Sequence, residues 1–277
     1  MIVSPFTPLT FSERKNDGIT SPYIQTFATT DYILIEVIST TGASIVGQVI
    51  PHSTYVARPI TWNYWAINDT TYLRFTELRL SPGLYSVFIE GIGYSDTFRV
   101  TDDQTILNDT TLIQYSMANN RQRKDAVFFI DGMQHFFDFR VPGGFQDKNW
   151  TFGVESEQFV TDDADIMSLY ALESTQKKFT MGTAEGCPIW FGELLNRLLC
   201  CNYVYFDGVR YARKETSSPE VTEQLEGVNS FVFTQQLQQV NNLDPELELT
   251  NQALIRRLSS SDNYRVTDTD SYNRLIN

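Results

Sequence analysis

Apolar and polar residues alternate along residues 31–38 (DYILIEVI) and again along residues 72–80 (YLRFTELRL). In the second run Leu73, Phe75 and Leu78 or Leu80 stand against Arg74, Thr76 and Arg79. Side chains of a strand point alternately to its two faces, so this period of two predicts half-buried strands. The phase changes near Glu77, which predicts a β-bulge there. Shorter strand-like pieces occupy residues 45–50 and 66–67. Ser81-Pro82-Gly83 reads as a turn, and residues 84–90 and 94–100 as a hairpin around Gly91 and Gly93. Short strands at this spacing predict an antiparallel β-sandwich over residues 1–115. Its first ~20 residues, rich in Pro, Ser and Thr, read as an arm.

The second half mixes periods. Asp131-Gly132 and Asp207-Gly208 each separate two apolar-rich runs. Both central residues of a type I′ turn need positive φ, which Asp tolerates and Gly accepts freely, so each pair predicts a two-residue hairpin. Residues 150–154, 158–160 and 230–234 look extended. Two helices are predicted. The first is capped by Thr161 or Asp162, carries Asp165 early, and continues through Ile166, Leu169, Tyr170 and Glu173. The second starts near Pro188 and runs to about Cys200. Its apolar positions are Ile189, Trp190, Phe191, Leu194, Leu195, Leu198 and Leu199, leaving Glu193, Asn196 and Arg197 as a narrow polar strip. So broad an apolar face must be covered on two sides, by the chain's own hairpins or by a second subunit. The fold class expected is mainly β: an N-terminal antiparallel β-sandwich (1–115), a polar linker (116–124, SMANNRQRK), a C-terminal α+β domain with β-hairpins and two helices (125–240), and a polar tail (241–277). Within the tail, residues 253–258 are the one helix-like island.

Composition narrows the partners. The 277 residues carry 21 Lys and Arg against 34 Asp and Glu, a formal charge of −13. Nucleic-acid binders carry a basic excess, so nucleic acid is not expected as a partner. Aromatic residues reach 13%, which suits strands and interfaces. Three cysteines, two of them adjacent (Cys200 and Cys201), form no disulfide framework and read as reduced thiols. The start MIVSPFTPLTFSERK lacks the basic and apolar regions of a signal peptide, and the apolar runs are too short to span a membrane. The expectation is a protein made without a cleaved leader and without membrane insertion.

Catalytic chemistry finds little footing. His52 and His135 are far apart in sequence, and adjacent thiols cannot readily share one tetrahedral ion, so no metal site is expected. Cys187 precedes Pro188 at a helix start, but no local signature supplies it with a base. Glu155 and Glu157, at i and i+2, would share a strand face and could converge as a glycosidase pair; helix capping accounts for Asp162, Asp163 and Asp165. Residues 182–186 (GTAEG) lack the Lys-Ser/Thr ending of a phosphate loop. No cofactor is expected, and no enzyme. Aromatic clusters offer a binding reading instead. Trp62, Tyr64 and Trp65 follow Pro59 and could stack on a sugar or grip a protein, with core packing as the alternative. Trp190 and Phe191 on the second helix are further candidate partner contacts.

Several segments resemble a known family. FGVESEQF (152–159), LYALESTQKKFTMG (169–182) and GCPIWFGELLNRLLCCNYVYFDGVRYARKETSSPE (186–220), with SDTFRVTDD (95–103), TTLIQYS (110–116) and FRVPGGF (139–145), are similar to a family of prophage structural proteins of gut anaerobes associated with the tail or baseplate. The resemblance covers about residues 94–225 and carries no catalytic or ligand residues with it. It implies a phage tail or baseplate structural protein, a homo-oligomer that assembles with other virion tail proteins, first in the host cytoplasm and then in the virion. The alternatives are a carbohydrate-binding module of a host-recognition device and an acidic-site glycoside hydrolase.

Overall fold

The computed structural model describes residues 1–11, 21–40, 42, 44–145, 150–160, 166–214, 217–224 and 228–240. The proposed cap at 161–165 and the whole tail 241–277 lie outside the described residues. Met1–Val240 is one compact unit and Asn241–Asn277 another, so the segment 116–124 falls inside the first.

The strands of the first hundred residues follow the alternation. They are β1 (Ile2–Val3), β2 (Gln25–Ala28), β3 (Ile33–Ser39), β4 (Gly47–Pro51), β5 (Arg58–Pro59), β6 (Asn63–Asn68), β7 (Thr71–Leu78), β8 (Gly83–Ile89), β9 (Gly93–Tyr94) and β10 (Phe98–Thr101). One sheet runs β1-β3-β7-β6 and the other β2-β10-β8-β4-β5, with β9 beside β8. All of these pairs are antiparallel except β2–β10, which is parallel. The two sheets close on one core: Ile33, Ile35, Val37 and Leu78 from the first, Phe27, Val49, Val87, Ile89, Phe98 and Val100 from the second. A sandwich is present, but it is not wholly antiparallel, and residues 110–116 pair in the next sheet rather than in this one.

Two local expectations give way. β3 and β7 keep an unbroken register from Ile33↔Leu78 to Ser39↔Tyr72, so no bulge sits at Glu77; the irregularity is between Ala66 and Asn68, against β6. The phase change has another cause. Leu78 faces the sandwich core, while Leu73 on the opposite face packs with Val127 and Ile130. The first sheet is covered on both sides, so both of its alternating sets are apolar somewhere along the strand. Nor is the amino-terminal segment a free arm throughout, because Phe6 and Leu9 are buried.

The rest of the unit is built from α1 (Gln104–Leu107), β11 (Thr110–Ser116), β12 (Phe129–Ile130), β13 (Met133–Gln134), β14 (Phe137–Phe145), β15 (Thr151–Val160), β16 (Ile166–Met181), α2 (Ile189–Leu198), β17 (Tyr203–Phe206), β18 (Val209–Arg213), β19 (Glu220–Glu223) and β20 (Phe231–Gln239). The sheet order is β15-β16-β14-β11-β17-β18-β20-β19, and β16 also pairs with β20. That extra pairing closes β14, β11, β17, β18, β20 and β16 into a ring in which every neighbour is antiparallel. The closed barrel leaves those six strands no open edge where they pair on both sides. Gly143 makes the closure feasible: φ is +97°, and a Cβ there would strike the Thr180 carbonyl across the β14–β16 seam. Phe145, Phe179, Phe206 and Tyr211, from four strands, meet at one end of the interior, with Phe179–Phe206 centroids 4.8 Å and Phe145–Tyr211 4.7 Å apart. Both Asp-Gly pairs turn as read, with φ of 50° and 81° at Asp131-Gly132 and 47° and 81° at Asp207-Gly208.

The described residues are mainly β with two helices, but one helix is not where the sequence suggested. Residues 166–173 belong to β16, not to a helix. Their i, i+3, i+4 apolar spacing is overridden by pairing with β15 along Glu157↔Tyr170 to Val160↔Ile166. α1, four residues capped by the Asp103 side chain on Thr105 N, takes the second place. α2 is as read, and the chain itself covers both of its sides. Phe191, Leu194, Leu195 and Leu198 enter the barrel core. Arg197 Nη1 donates to the Pro5 carbonyl at 2.9 Å, fixing the amino-terminal segment against the helix.

A polar joint ties sandwich to barrel. Phe137, Phe139 and Val141 point into the barrel core, so Asp138 and Arg140 point outward from the same strand. Arg140 grips Asp31 through two bonds of 2.7 and 2.8 Å, and Asp31 also accepts from Ala28 N at 2.8 Å. Asp138 accepts from Tyr32 N and from Gln114 Nε2, each at 2.9 Å. Segment 116–124 is anchored too: Asn120 Oδ1 accepts from Phe128 N and Phe129 N, and Asn202 Oδ1 accepts from Ala118 N.

Candidate assembly site

β16 is sixteen residues long, and only its last six, Gln176–Met181, pair with β20. Before that it pairs with β15 alone among the described residues. Residues 151–160 and 166–175 therefore form a two-stranded ribbon, about 30 Å long at ~3.3 Å per residue, leaving the barrel wall with no further strand on either edge among the described residues. The alternation of β15 sets Trp150, Phe152 and Val154 on one face, beside their partners Thr175 and Glu173. Phe152 is 74% exposed, Val154 68% and, near the tip, Phe159 58%. Trp150 anchors the base of this stripe: its ring stacks on Phe152 at 6.0 Å, and Lys177 Nζ lies over it at 3.9 Å. Exposed apolar side chains on a strand with unpaired backbone groups make a template for another chain. The cue in the sequence was present: TFGVESEQFV alternates, but its apolar set serves no core of its own chain.

The sequence-derived site residues are scattered by the fold. Trp62 packs against the sandwich core and its Nε1 has no hydrogen-bond partner. Trp65 packs on the opposite side, with Leu73, Val127 and Ile130. Tyr64 stays outside, 51% exposed, stacked on Tyr72 at 5.5 Å with the Arg74 guanidinium 4.1 Å from its ring. The three rings thus do not make one platform. Phe191 is fully buried against Tyr23 and Phe139. Trp190 is half-buried at the wall of a cavity of about 460 Å³ between α2 and the amino-terminal segment, where Met1, Thr7, Phe11 and Ile92 also stand. Glu155 and Glu157 stand two positions apart on β15, in register with Leu172 and Tyr170 of β16.

The titratable groups are bound into packing. Burial pushes the Cys187 thiol well up, and its Sγ donates to the Phe231 carbonyl at 3.4 Å. Burial likewise raises Cys201 to about 12. His52 bonds Ser86 Oγ at 2.8 Å, while His135 sits edge-on to Phe75. Among the described residues no three His, Cys, Asp or Glu side chains gather as metal ligands, and no helix is long and apolar enough to cross a membrane. Glu36, on β3, is wholly enclosed where the sandwich sheet meets residues 4–7 and 126–128. Burial lifts its carboxyl to about 8, and the Val127 N–H, 3.2 Å from Oε2, offsets this only in part. Its Oε1 has no hydrogen-bond partner. Asp138 is raised as well, again chiefly by burial.

No protein-family model and no curated protein matches the chain. Among solved structures, a crystal structure of Dpr2 Ig1-Ig2 in complex with DIP-Theta Ig1-Ig3 is similar at a TM-score of 0.17 and 8% identity, over 80% of this chain and 89% of that one. A likeness at that score carries no argument about this chain.

Proposed function

We propose that this protein is a structural component of a phage tail or baseplate, acting by assembly with copies of itself and with neighbouring tail proteins. The observation that carries the reading is the ribbon of residues 151–160 and 166–175, which spends two strands and the exposed side chains of Phe152, Val154 and Phe159 outside any core of its own chain. Such an element is costly in isolation, because a two-stranded hairpin is at best marginally stable in water. A neighbouring subunit that completes its pairing and covers its stripe accounts for it. Two of the groups considered for catalysis support the same reading, since the Cys187 thiol is buried and pushed up and His52 is bonded to Ser86 Oγ. A carbohydrate-binding role would rest on Tyr64 alone of the three clustered aromatics, because Trp62 and Trp65 serve two different cores.

The test is composition of the particle. Particles purified after induction of the host's prophage are digested and the chain is quantified by mass spectrometry against the major capsid protein. A fixed stoichiometric copy number is expected. Absence of the chain from intact particles would end the virion assignment.

A further inference from the structure

We infer that a cavity of about 450 Å³ at the seam between sandwich and barrel binds a small alkylammonium ion, whose N–H groups donate to the Asp138 carboxylate. The inference goes beyond the assembly reading and does not depend on it. It starts from strand alternation. Phe137 and Phe139 fill the barrel core, so Asp138 between them is turned outward, toward the start of β3. There it is only 2% exposed. A carboxylate so enclosed is ordinarily paired with a cation. Asp138 has neutral partners instead: Tyr32 N donates to Oδ2 and Gln114 Nε2 to Oδ1, each at 2.9 Å. Arg140, two residues along the same strand, is committed to Asp31 through two bonds. Among the described residues no ion pair reaches Asp138. Its two hydrogen bonds fill about half of the acceptor positions of a carboxylate. Burial, with the neighbouring Asp31 charge, raises its carboxyl more than Tyr32 N–H, Gln114 and Arg140 lower it.

The cavity beside Asp138 supplies the rest of a cation site. Glu77 adds a second, exposed carboxylate, and among the described residues no Lys or Arg lines the walls. Tyr32, Phe136 and Tyr205 line it with aromatic side chains, the Phe136 and Tyr205 centroids 6.1 Å apart. Ring faces attract cations, and their apolar breadth covers methylene groups. Tyr32 shows this preference in place, because the Arg79 guanidinium lies 4.5 Å from its ring centroid. Gly208, at the turn of its hairpin, forms part of the wall; a Cβ there would meet nothing within 4 Å, so that side is open to entry. Aromatic walls with a few convergent polar groups are the usual make-up of a small-molecule site. A bare metal ion fits less well, since among the described residues no three His, Cys, Asp or Glu side chains gather as ligands.

The test is saturation-transfer NMR on the full chain, with n-butylammonium as the probe and tetramethylammonium, which has no N–H to donate, beside it. The n-butylammonium ion is expected to bind with a dissociation constant of about 10 mM or tighter. Tetramethylammonium is expected to bind about tenfold more weakly, because it keeps the ring contacts and loses the bonds to Asp138. Asp138→Asn is expected to weaken n-butylammonium about tenfold or more. That change also disturbs the joint, so a second variant is placed at the rim, where Met133 is 65% exposed. Met133→Lys is expected to lay its own ammonium in the cavity and to weaken the probe about tenfold or more, while Met133→Leu binds it as the natural chain does. Urea unfolding establishes which variants are folded; if Asp138→Asn is not, Met133→Lys decides. No transfer to n-butylammonium at about 10 mM overturns the site. Binding that persists in either folded variant overturns it too, since the amine then rests elsewhere on a chain of net charge −13. Tetramethylammonium bound as tightly as n-butylammonium removes Asp138 as the acceptor and overturns the inference. None of these outcomes bears on the particle analysis, which tests the proposed function separately.

Discussion

Glu36 shows how one carboxyl can set the pH response of a joint. Its folded pKa, about 8, lies above its ordinary value of 4.5. The folded state therefore holds a proton that the unfolded state has released throughout that window. Stability from this group is fully present below about pH 4.5 and falls as pH rises, levelling off above about pH 8. At ~1.4 kcal/mol per pKa unit the loss amounts to a few kcal/mol. Urea unfolding at pH 5, 6, 7 and 8 should show this decline in the natural chain and a much flatter profile in Glu36→Gln. Equal slopes in both proteins would remove Glu36 as the cause. Gly208 is a second single-residue case. Nothing lies within 4 Å of a Cβ built there, so the cost of Gly208→Val comes from its φ of +81° alone. A loss of about 1 kcal/mol or more is expected by the same measurement, and no loss would show that the turn tolerates a β-branched residue. The turns were legible in the sequence because Asp-Gly states its own backbone requirement. Glu36 was not, because its burial depends on residues 4–7 and 126–128, remote along the chain.

Among the elements, α2 and the ribbon are opposites. α2 lives on tertiary packing: Phe191 is fully buried, and its truncation to Ala should cost ~3–5 kcal/mol in urea unfolding. A cost under about 1 kcal/mol would mean the barrel end is not sealed by this ring. The ribbon contributes no residue to the hydrophobic cores among its described side chains. Replacing residues 152–175 by an Asn-Gly turn should leave the unfolding free energy within about 0.5 kcal/mol, as expected for surface changes away from such features. A large loss would assign the ribbon a structural role in its own barrel. The two elements also differ in how well sequence revealed them. Seven apolar residues after Pro188 at helical spacing marked α2 without ambiguity. Residues 166–173 carry the same period, yet they are strand, because β15 offers them seven paired positions. Trp62 and Trp65 illustrate the remaining limit. Their residue types fit a binding platform or a core equally, and only the two-sided covering of the first sheet decides between them.

At the scale of the whole molecule, sandwich and barrel are joined by a buried ion pair, Asp31 with Arg140. Arg140→Leu leaves Asp31 without its cation, and removing one partner of a buried pair costs ~3–5 kcal/mol. The expected result is a lower urea midpoint and, because the lesion lies at the joint, a sandwich and barrel that no longer melt together. Tryptophan fluorescence, weighted to Trp62 and Trp65 or to Trp150 and Trp190 by substitution, would report this as two separated transitions; one shared transition would show that the apolar contacts suffice. The barrel's closure has a further consequence in time. β16 and β18 both wait on β20, residues 231–239, for their second neighbour. A ribosome delivers those residues last among the described strands, so every earlier strand emerges into a wall with a gap in it. Until the gap is filled, the growing chain offers two raw edges to any passing polypeptide, and a messenger truncated before codon 231 would yield a sticky half-cylinder in place of a soluble fragment.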